Sequence, residues 1–305
     1  MTAAARLVAR LPGQVTLDAS SAEVTTYRCG GPLAVLVRAE RETDLAIVAA
    51  ETRAVDVLVV GRGSNLLIAD AGFDGVALML AGDLEAVTTD VETARVVAGG
   101  GAALPVLARR AAAAGIGGLE FFVGIPGSVG GAVRMNAGGH GDDTAAVITT
   151  ARIADLDAGG AVADWAPADL GLGYRHSGLG ARHVVVGATF AGRADDPEAC
   201  GARIDEIVRW RREHQPGGQN AGSVFTNPAG DAAGRLIEQS GLKGFRIGGA
   251  VVSEKHANFF VAEPGARAGD VYALIREVQA RVEAATGIRL EPELRCIGFK
   301  ECEQS

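Results

Sequence analysis

Two glycine-rich loops carry the chemistry most visible in this chain of 305 residues. One is Gly124-Ile125-Pro126-Gly127-Ser128-Val129-Gly130-Gly131, running on to Asn136-Ala137-Gly138-Gly139-His140-Gly141. The other, Gly61-Arg62-Gly63-Ser64-Asn65-Leu66, follows the apolar run Val57–Val60. Glycine at this density buries no side chain and adds backbone entropy to be lost on folding. It is useful where the main chain must approach a ligand closely or turn several N–H groups toward one anion. Ser128 adds a small hydroxyl donor without bulk. Together the loops point to one long phosphorylated cofactor held along its length. Neither matches GxGxxG or GxxxxGK[ST]; alone, Gly61–Asn65 reads equally well as a tight strand-to-helix turn.

Composition narrows the field. A hydrophobic content of 48% over this length supports a large core divided into two or three domains. The net charge of −8 argues against a general nucleic-acid or membrane-surface binder. An acidic chain that binds a diphosphate must then offer dipoles in place of net positive charge. No apolar run approaches the roughly 20 residues of a membrane span, and residues 1–14 lack the apolar segment of a secretory signal. A cytoplasmic protein without membrane insertion is expected. Cys29, Cys200, Cys296 and Cys302 show no CxxC and no metal-ligand spacing, so they read as free thiols and no metal is expected.

The elements that must position the loops alternate between strands and helices. Helices are expected from Thr43 as cap to about Ala50, and from Leu104-Pro105 to Gly115. Strands are expected near Arg95–Ala98, Val147–Asp155, Ala161–Trp165 and His183–Phe190. Small and acidic residues at 192–197 mark a boundary. Beyond it come a helix with Ile204, Ile207 and Val208 on one face, a second capped by Asp231, and a third capped by Asp270. That third helix carries Val271, Leu274, Ile275, Val278 and Val282 on one stripe and stops at Gly287. Strands Ala257–Glu263 and Leu290–Ile297 complete a second α+β region of ordinary domain size.

Further motifs fall in one order along the chain: Thr25-Thr26-Tyr27-Arg28-Cys29-Gly30-Gly31-Pro32, the two glycine loops, Gly173-Tyr174-Arg175-His176-Ser177, Ala221-Gly222-Ser223-Val224-Phe225-Thr226-Asn227-Pro228, Gly241-Leu242-Lys243-Gly244, Lys255-His256-Ala257-Asn258-Phe259, and Leu290-Glu291-Pro292-Glu293-Leu294-Arg295. In this set, spanning about residues 20–298, the chain resembles the UDP-N-acetylenolpyruvoylglucosamine reductase family, in its shorter type II form. The resemblance implies an α+β fold with a split FAD-binding region of the vanillyl-alcohol-oxidase (PCMH) type, followed by a smaller α+β substrate-binding domain. The implied layout is an N-terminal extension (1–20), an FAD-binding region of two α+β subdomains (21–195), a substrate-binding domain (196–298) and a C-terminal tail (299–305).

The same resemblance implies non-covalent FAD, NADPH as hydride donor and UDP-GlcNAc-enolpyruvate as substrate, in peptidoglycan precursor synthesis, with no nucleic-acid partner and a monomeric state. FAD would be held by Gly61, Arg62, Gly63, Ser64, Asn65 and Leu66 and by Gly124, Ile125, Pro126, Gly127, Ser128, Val129 and Gly130. Three residues would carry the reaction. Ser223 protonates the enolate carbon as general acid. Arg175 opposes the developing charge with a permanently charged, planar group. Glu293 hydrogen-bonds the carboxylate end. Tyr174, Arg211, His214, Asn227 and Asn258 would contact substrate, Asn258 near the diphosphate. Departures accompany the match. His214 stands where lysine is common, and a histidine is only partly charged near neutral pH. Arg134 and the Gly139-His140 pair replace residues that are often tyrosine. Two rivals stay open: an FAD-dependent oxidase of the same fold acting on an alcohol or sugar, and a non-catalytic protein that binds FAD or a UDP-sugar.

Overall fold

The computed structural model describes residues 2–299, so Cys302 and all but the first residue of the expected tail lie outside the described residues. The chain forms two compact units. The first comprises Met1–Asp18, Val35–Arg62 and Asp74–Arg211; the second comprises Ala19–Ala34, Gly63–Phe73 and Arg212–Ser305.

The first unit is built on two sheets. One has the strand order Val15–Ser20, Pro32–Ala39, Phe73–Leu80, Val57–Val59, the last two running parallel. Helices Ala3–Arg10 and Glu42–Glu51 contribute to its core, where Leu7, Leu11, Val37, Leu45, Val48 and Leu78 are buried. The expected N-terminal extension, residues 1–20, carries the helix Ala3–Arg10 and the strand Val15–Ser20. The other sheet is antiparallel, in the order Ala161–Trp165, Ile148–Asp155, His183–Ala191, Arg95–Gly99, Val87–Asp90. Its central strand His183–Ala191 is apolar almost throughout because both faces are covered. Val185, Ala188 and Phe190 join one core with Phe122 and Leu107, while Val184 and Val186 join the core of the first sheet. Helices Leu104–Ala113 and Val129–Met135 pack into the Phe122 core through Leu107, Ala108, Val129 and Val133, and Pro197–His214 does so through Cys200 and Ile204.

The second unit has a three-stranded antiparallel sheet, Arg246–Ile247, Ala250–Val252, Phe260–Ala262, with helices Ala233–Gln239 and Ala268–Thr286. The stripe Val271, Leu274, Ile275, Val278 and Val282 is buried as its helical spacing requires, and Gly287 ends the helix in the left-handed conformation at φ 72°. Leu66–Ile68 pairs in parallel with Arg295–Ile297, joining segments more than two hundred residues apart in sequence.

Several boundaries differ from the sequence reading, each for a local reason. Thr43 and Asp270 do not cap their helices: Thr43 is the second residue of Glu42–Glu51 and Asp270 the third of Ala268–Thr286. Asp44 and Asp270, each at the third helical position, accept hydrogen bonds from the main-chain N–H of Arg41 and Arg267. Asp231 precedes its helix: the N–H of Ala233 is bound by the side-chain oxygen of Asn227 at 3.0 Å. The strand expected at 257–263 shortens to Phe260–Ala262 because residues 256–259 turn, the N–H of Phe259 reaching the carbonyl of His256. The strand expected over 290–297 shortens to Arg295–Ile297. The loop Gly61–Asn65 leads to the strand Leu66–Ile68, so its reading as a strand-to-helix turn is wrong.

Candidate active site

In the first unit the two glycine loops meet. A Cβ on Gly61 would lie 2.4 Å from the hydroxyl oxygen of Ser128, so only glycine admits the serine there. Ser128 is buried and caps Val129–Met135, its oxygen accepting from the N–H of Gly131 at 3.2 Å. The hydroxyl proton is therefore left to donate. Two further N–H groups at the helix start are taken up by protein. The N–H of Val129 donates to Ala102 O at 2.9 Å and that of Gly130 to Gly100 O at 2.7 Å. Part of the glycine richness serves main-chain packing, since a Cβ on Gly100 would sit 1.8 Å from the carbonyl of Val185. The segment before the serine stays partly open: Gly127 and Ser128 are buried, Gly124 and Ile125 half-buried, and Pro126 exposed.

The loop at 61–66 passes from one unit to the other after Arg62, which is exposed. Gly63, at φ 63°, is pinned by Thr26, whose N–H and hydroxyl both donate to its carbonyl, and a Cβ there would strike Val24 O at 2.0 Å. Ser64 and Asn65 are half-buried, and Leu66 is buried in its strand. Within the first unit, a side-chain-poor loop with a buried serine hydroxyl is a donor set that suits FAD, and Gly61 and Ser128 would hold it.

Arg175 lies at the tip of a tight hairpin in the first unit. Gly173 and His176 exchange both main-chain hydrogen bonds, at 3.0 and 3.2 Å, leaving Tyr174 and Arg175 as the central residues. Arg175 is left-handed at φ 54°, an unusual state for a long side chain. Its guanidinium donates to Gly138 O at 3.0 Å and lies 5.2 Å from the ring centre of Tyr174, which is itself exposed. The hairpin is anchored by a residue the sequence reading left without a role. Asn136, 3% exposed and left-handed at φ 40°, donates to Gly173 O at 3.0 Å and accepts from the N–H of Ala145 at 2.8 Å. Its position just after a helix in a glycine-rich run was the signal available.

On the same unit Arg211 is half-buried in the helix Pro197–His214, and burial lowers its pKa. His140 packs its ring 3.2 Å from the Cβ position of Gly124 and edge-on to Trp210, the centroids 5.1 Å apart. Burial and the Arg211 guanidinium lower the pKa of His140. His140 and Trp210 were not in the expected site. Cys200 also has unexpected company: its sulfur and the carboxylates of Glu120 and Asp195 lie within 4.8 Å of one another. Arg203 already supplies the positive charge there, its guanidinium 2.7 Å from Glu120, 2.6 Å from Asp195 and 3.2 Å from the sulfur.

Ser223 and Glu293 belong to the second unit and are brought together. The N–H of Glu293 donates to the carbonyl of Val224, next to Ser223, at 2.8 Å, and Phe225 bridges Pro292. Asn65 holds the other side of Glu293, its amide donating to the Glu293 carbonyl at 3.1 Å. Both residues are half-buried. Asn227 is exposed and His214 lies exposed at the last residue of its helix. Asn258, expected near the diphosphate, is 2% exposed, and its amide is bonded to both the N–H and the carbonyl of Phe225.

Comparison with known proteins bears directly on this arrangement. Residues 214–297 match the C-terminal domain of UDP-N-acetylenolpyruvoylglucosamine reductase, and residues 32–163 match an FAD binding domain. A curated UDP-N-acetylenolpyruvoylglucosamine reductase of Methylorubrum populi is 42% identical over 298 residues, 96% of this chain and 94% of its own. The chain belongs to the UDP-N-acetylenolpyruvoylglucosamine reductase family. A relative of that name from Synechococcus sp. is 45% identical, with 92% of each chain covered. The crystal structure of the enzyme from Thermus caldophilus superposes with a TM-score of 0.80 at 36% identity, covering 93% of this chain and 98% of that one. A glucose dehydrogenase, Phl p 4.0202, shares the fold alone, at 16% identity and a TM-score of 0.50 over 70% of this chain and 50% of its own. The expected α+β fold with an FAD-binding region and a separate C-terminal domain is thus present.

Proposed function

We propose that the protein reduces UDP-N-acetylglucosamine enolpyruvate to UDP-N-acetylmuramate with NADPH, by way of non-covalently bound FAD, in the cytoplasm and as a monomer. The substrates are a nucleotide sugar and a dinucleotide, both molecules of the cell interior. Among the described residues no helix is long and apolar enough to cross a membrane. Bound FAD supplies the two-electron chemistry that links NADPH to the enolpyruvyl double bond.

The chain's own task is to manage the charge that this delivery creates. Hydride arriving at the terminal carbon leaves negative charge shared between the neighbouring carbon and its carboxylate. A fixed cation beside that carboxylate lowers the barrier because its interaction grows as charge develops. Arg175, splayed out at a hairpin tip and steadied by Gly138 and Tyr174, takes that part. Glu293 hydrogen-bonds the same end. The Ser223 hydroxyl then gives its proton to the carbanionic carbon and regains one from water. A hydroxyl is a weak acid, yet beside an enolate it needs only a short, aimed path. The observation that carries this reading is the pairing of 224–226 with 291–294, which supports Glu293 on a backbone neighbouring the one that carries Ser223.

Anaerobic half-reactions test it. NADPH bleaches the flavin absorbance, and UDP-GlcNAc-enolpyruvate restores it in the native protein; Ser223→Ala keeps the first step and slows the second by about a hundredfold or more. Reoxidation by oxygen alone would instead make the protein an oxidase, and a protein that takes up no flavin would end the reading. Sedimentation at working concentration checks the monomer.

A further inference from the structure

We propose that Asn258, oriented by His256, is a positioning residue that sets where the Ser223 hydroxyl points. The inference rests on the proton-donor reading of Ser223. An asparagine side chain presents one acceptor and one donor in a plane, as a peptide does. Here its oxygen accepts from the N–H of Phe225 at 3.0 Å and its nitrogen donates to the carbonyl of the same residue at 2.8 Å. The main-chain carbonyl of Asn258 accepts from Val224 at 2.8 Å. Phe259, the next residue, forms an antiparallel bridge with Ser223. Residues 223, 224 and 225 are therefore each held by the 258–259 turn.

On its other side Ser223 follows Gly222, whose φ of 76° makes a turn rather than a strand. The donor's lateral position depends on the clamp. No other side chain type supplies both bonds at this reach: aspartate lacks the donor, and serine is too short to make the pair.

Asn258 is itself aimed by His256, whose Nδ1 accepts from the Asn258 N–H at 3.2 Å. That bond requires a neutral imidazole. The ring lies edge-on to Phe259 with centroids 4.8 Å apart and close to Gly234, where a Cβ would lie 3.2 Å from it. Ser253 fixes the turn, its hydroxyl oxygen accepting from the N–H of Lys255 and of His256. The charged groups that act on the ring are Lys243 and Glu238, which pair with each other at 2.6 Å. Burial holds the histidine below its ordinary pKa, so the acceptor persists at neutral pH.

A direct substrate contact and a positioning role predict different kinetics. In Asn258→Asp, flavin content and flavin reduction by NADPH stay as in the native protein. KM for UDP-GlcNAc-enolpyruvate stays within about twofold, and reoxidation of the flavin by that substrate slows about tenfold, the effect of one hydrogen bond's worth of misplacement. His256→Phe, which removes the acceptor, slows the same step about threefold, and His256→Gln, which offers an amide oxygen, recovers most of it. A raised KM with unchanged kcat in Asn258→Asp overturns the proposal in favour of a substrate contact. Native reoxidation rates in both Asn258→Asp and His256→Phe overturn it outright. If Asn258→Asp does not fold, the two His256 variants decide by the presence or absence of slowed reoxidation. Ser223→Ala, measured alongside, separates the layers: turnover at the native rate there sinks the proton-donor reading, whereas a slow Ser223→Ala beside native clamp variants sinks only the clamp.

Discussion

Asn136 offers the sharpest test of how the Arg175 hairpin is held. Its side chain makes three hydrogen bonds, to Gly173 O at 3.0 Å, to Asp143 at 3.1 Å and from Ala145 N–H at 2.8 Å, at a buried position with φ 40°. Each bond contributes about 1 kcal/mol net. A left-handed backbone costs a residue with a Cβ about 1 kcal/mol or more relative to glycine. Asn136→Gly removes the bonds but relieves the backbone, and should lose about 2 kcal/mol. Asn136→Ala removes the bonds and keeps the backbone cost, and should lose about 3 kcal/mol. Denaturant titration of the flavin-loaded protein reads both values. The bond to Gly173 is the one that bears on function, so Asn136→Gly should also slow flavin reoxidation by substrate about fivefold, with reduction by NADPH unchanged. Equal stability of the two variants would refute the backbone argument. Stability within about 0.5 kcal/mol of native for both would refute the whole account of Asn136.

Gly61→Ala should weaken FAD binding about tenfold in a flavin titration, because its Cβ would meet the Ser128 hydroxyl at 2.4 Å and turn that donor away. Gly100→Ala should fail to accumulate as folded protein in expression tests, since its Cβ would sit 1.8 Å from the rigid carbonyl of Val185. Glu120 titrates below its ordinary value: burial alone would raise it, but the main-chain N–H groups of Glu120 and Gly118 and the Arg203 guanidinium outweigh burial. Its contribution is therefore complete above the unfolded carboxyl range near pH 4.3 and is lost as pH falls through the folded value; Glu120→Gln should flatten that acid-side decline in thermal melts. For His256 the lowered pKa means that the unfolded chain takes up a proton first, so stability falls as pH drops below about 6.5, and His256→Gln should reduce the slope.

Local signals in the sequence went far where the physics is local. The helix from 268 to 286 announces itself by five apolar residues on one stripe and a glycine stop, and the strand at 183 by a run of β-branched residues. The glycine loops showed that backbone must come close to something. They did not show that the something is often other backbone, as with Gly63 against Val24, because that depends on which segment lies beside the loop. Helix caps were misassigned for the same reason. The N–H groups of Ala268 and Gly269 are bound by Asp70, nearly two hundred residues earlier, and no window of sequence contains that pair. Asn258 was legible as a polar residue in an apolar stretch, but its partner Phe225 belongs to a segment 33 positions away. Ser223 and Glu293 could be named together only through the ordered motif set, since 70 residues separate them and the pairing that unites them is made by main chain.

The parallel ladder between Leu66–Ile68 and Arg295–Ile297 has a consequence for biosynthesis. The early strand emerges from the ribosome with its hydrogen-bonding edge unmatched, and its partner is translated more than two hundred residues later. Until then Leu67 and Ile68 have no such neighbour, and Asp70 waits for a helix not yet synthesised. Nascent chains stalled before residue 290 should therefore be cut by protease within the 63–73 stretch, whereas full-length protein resists there.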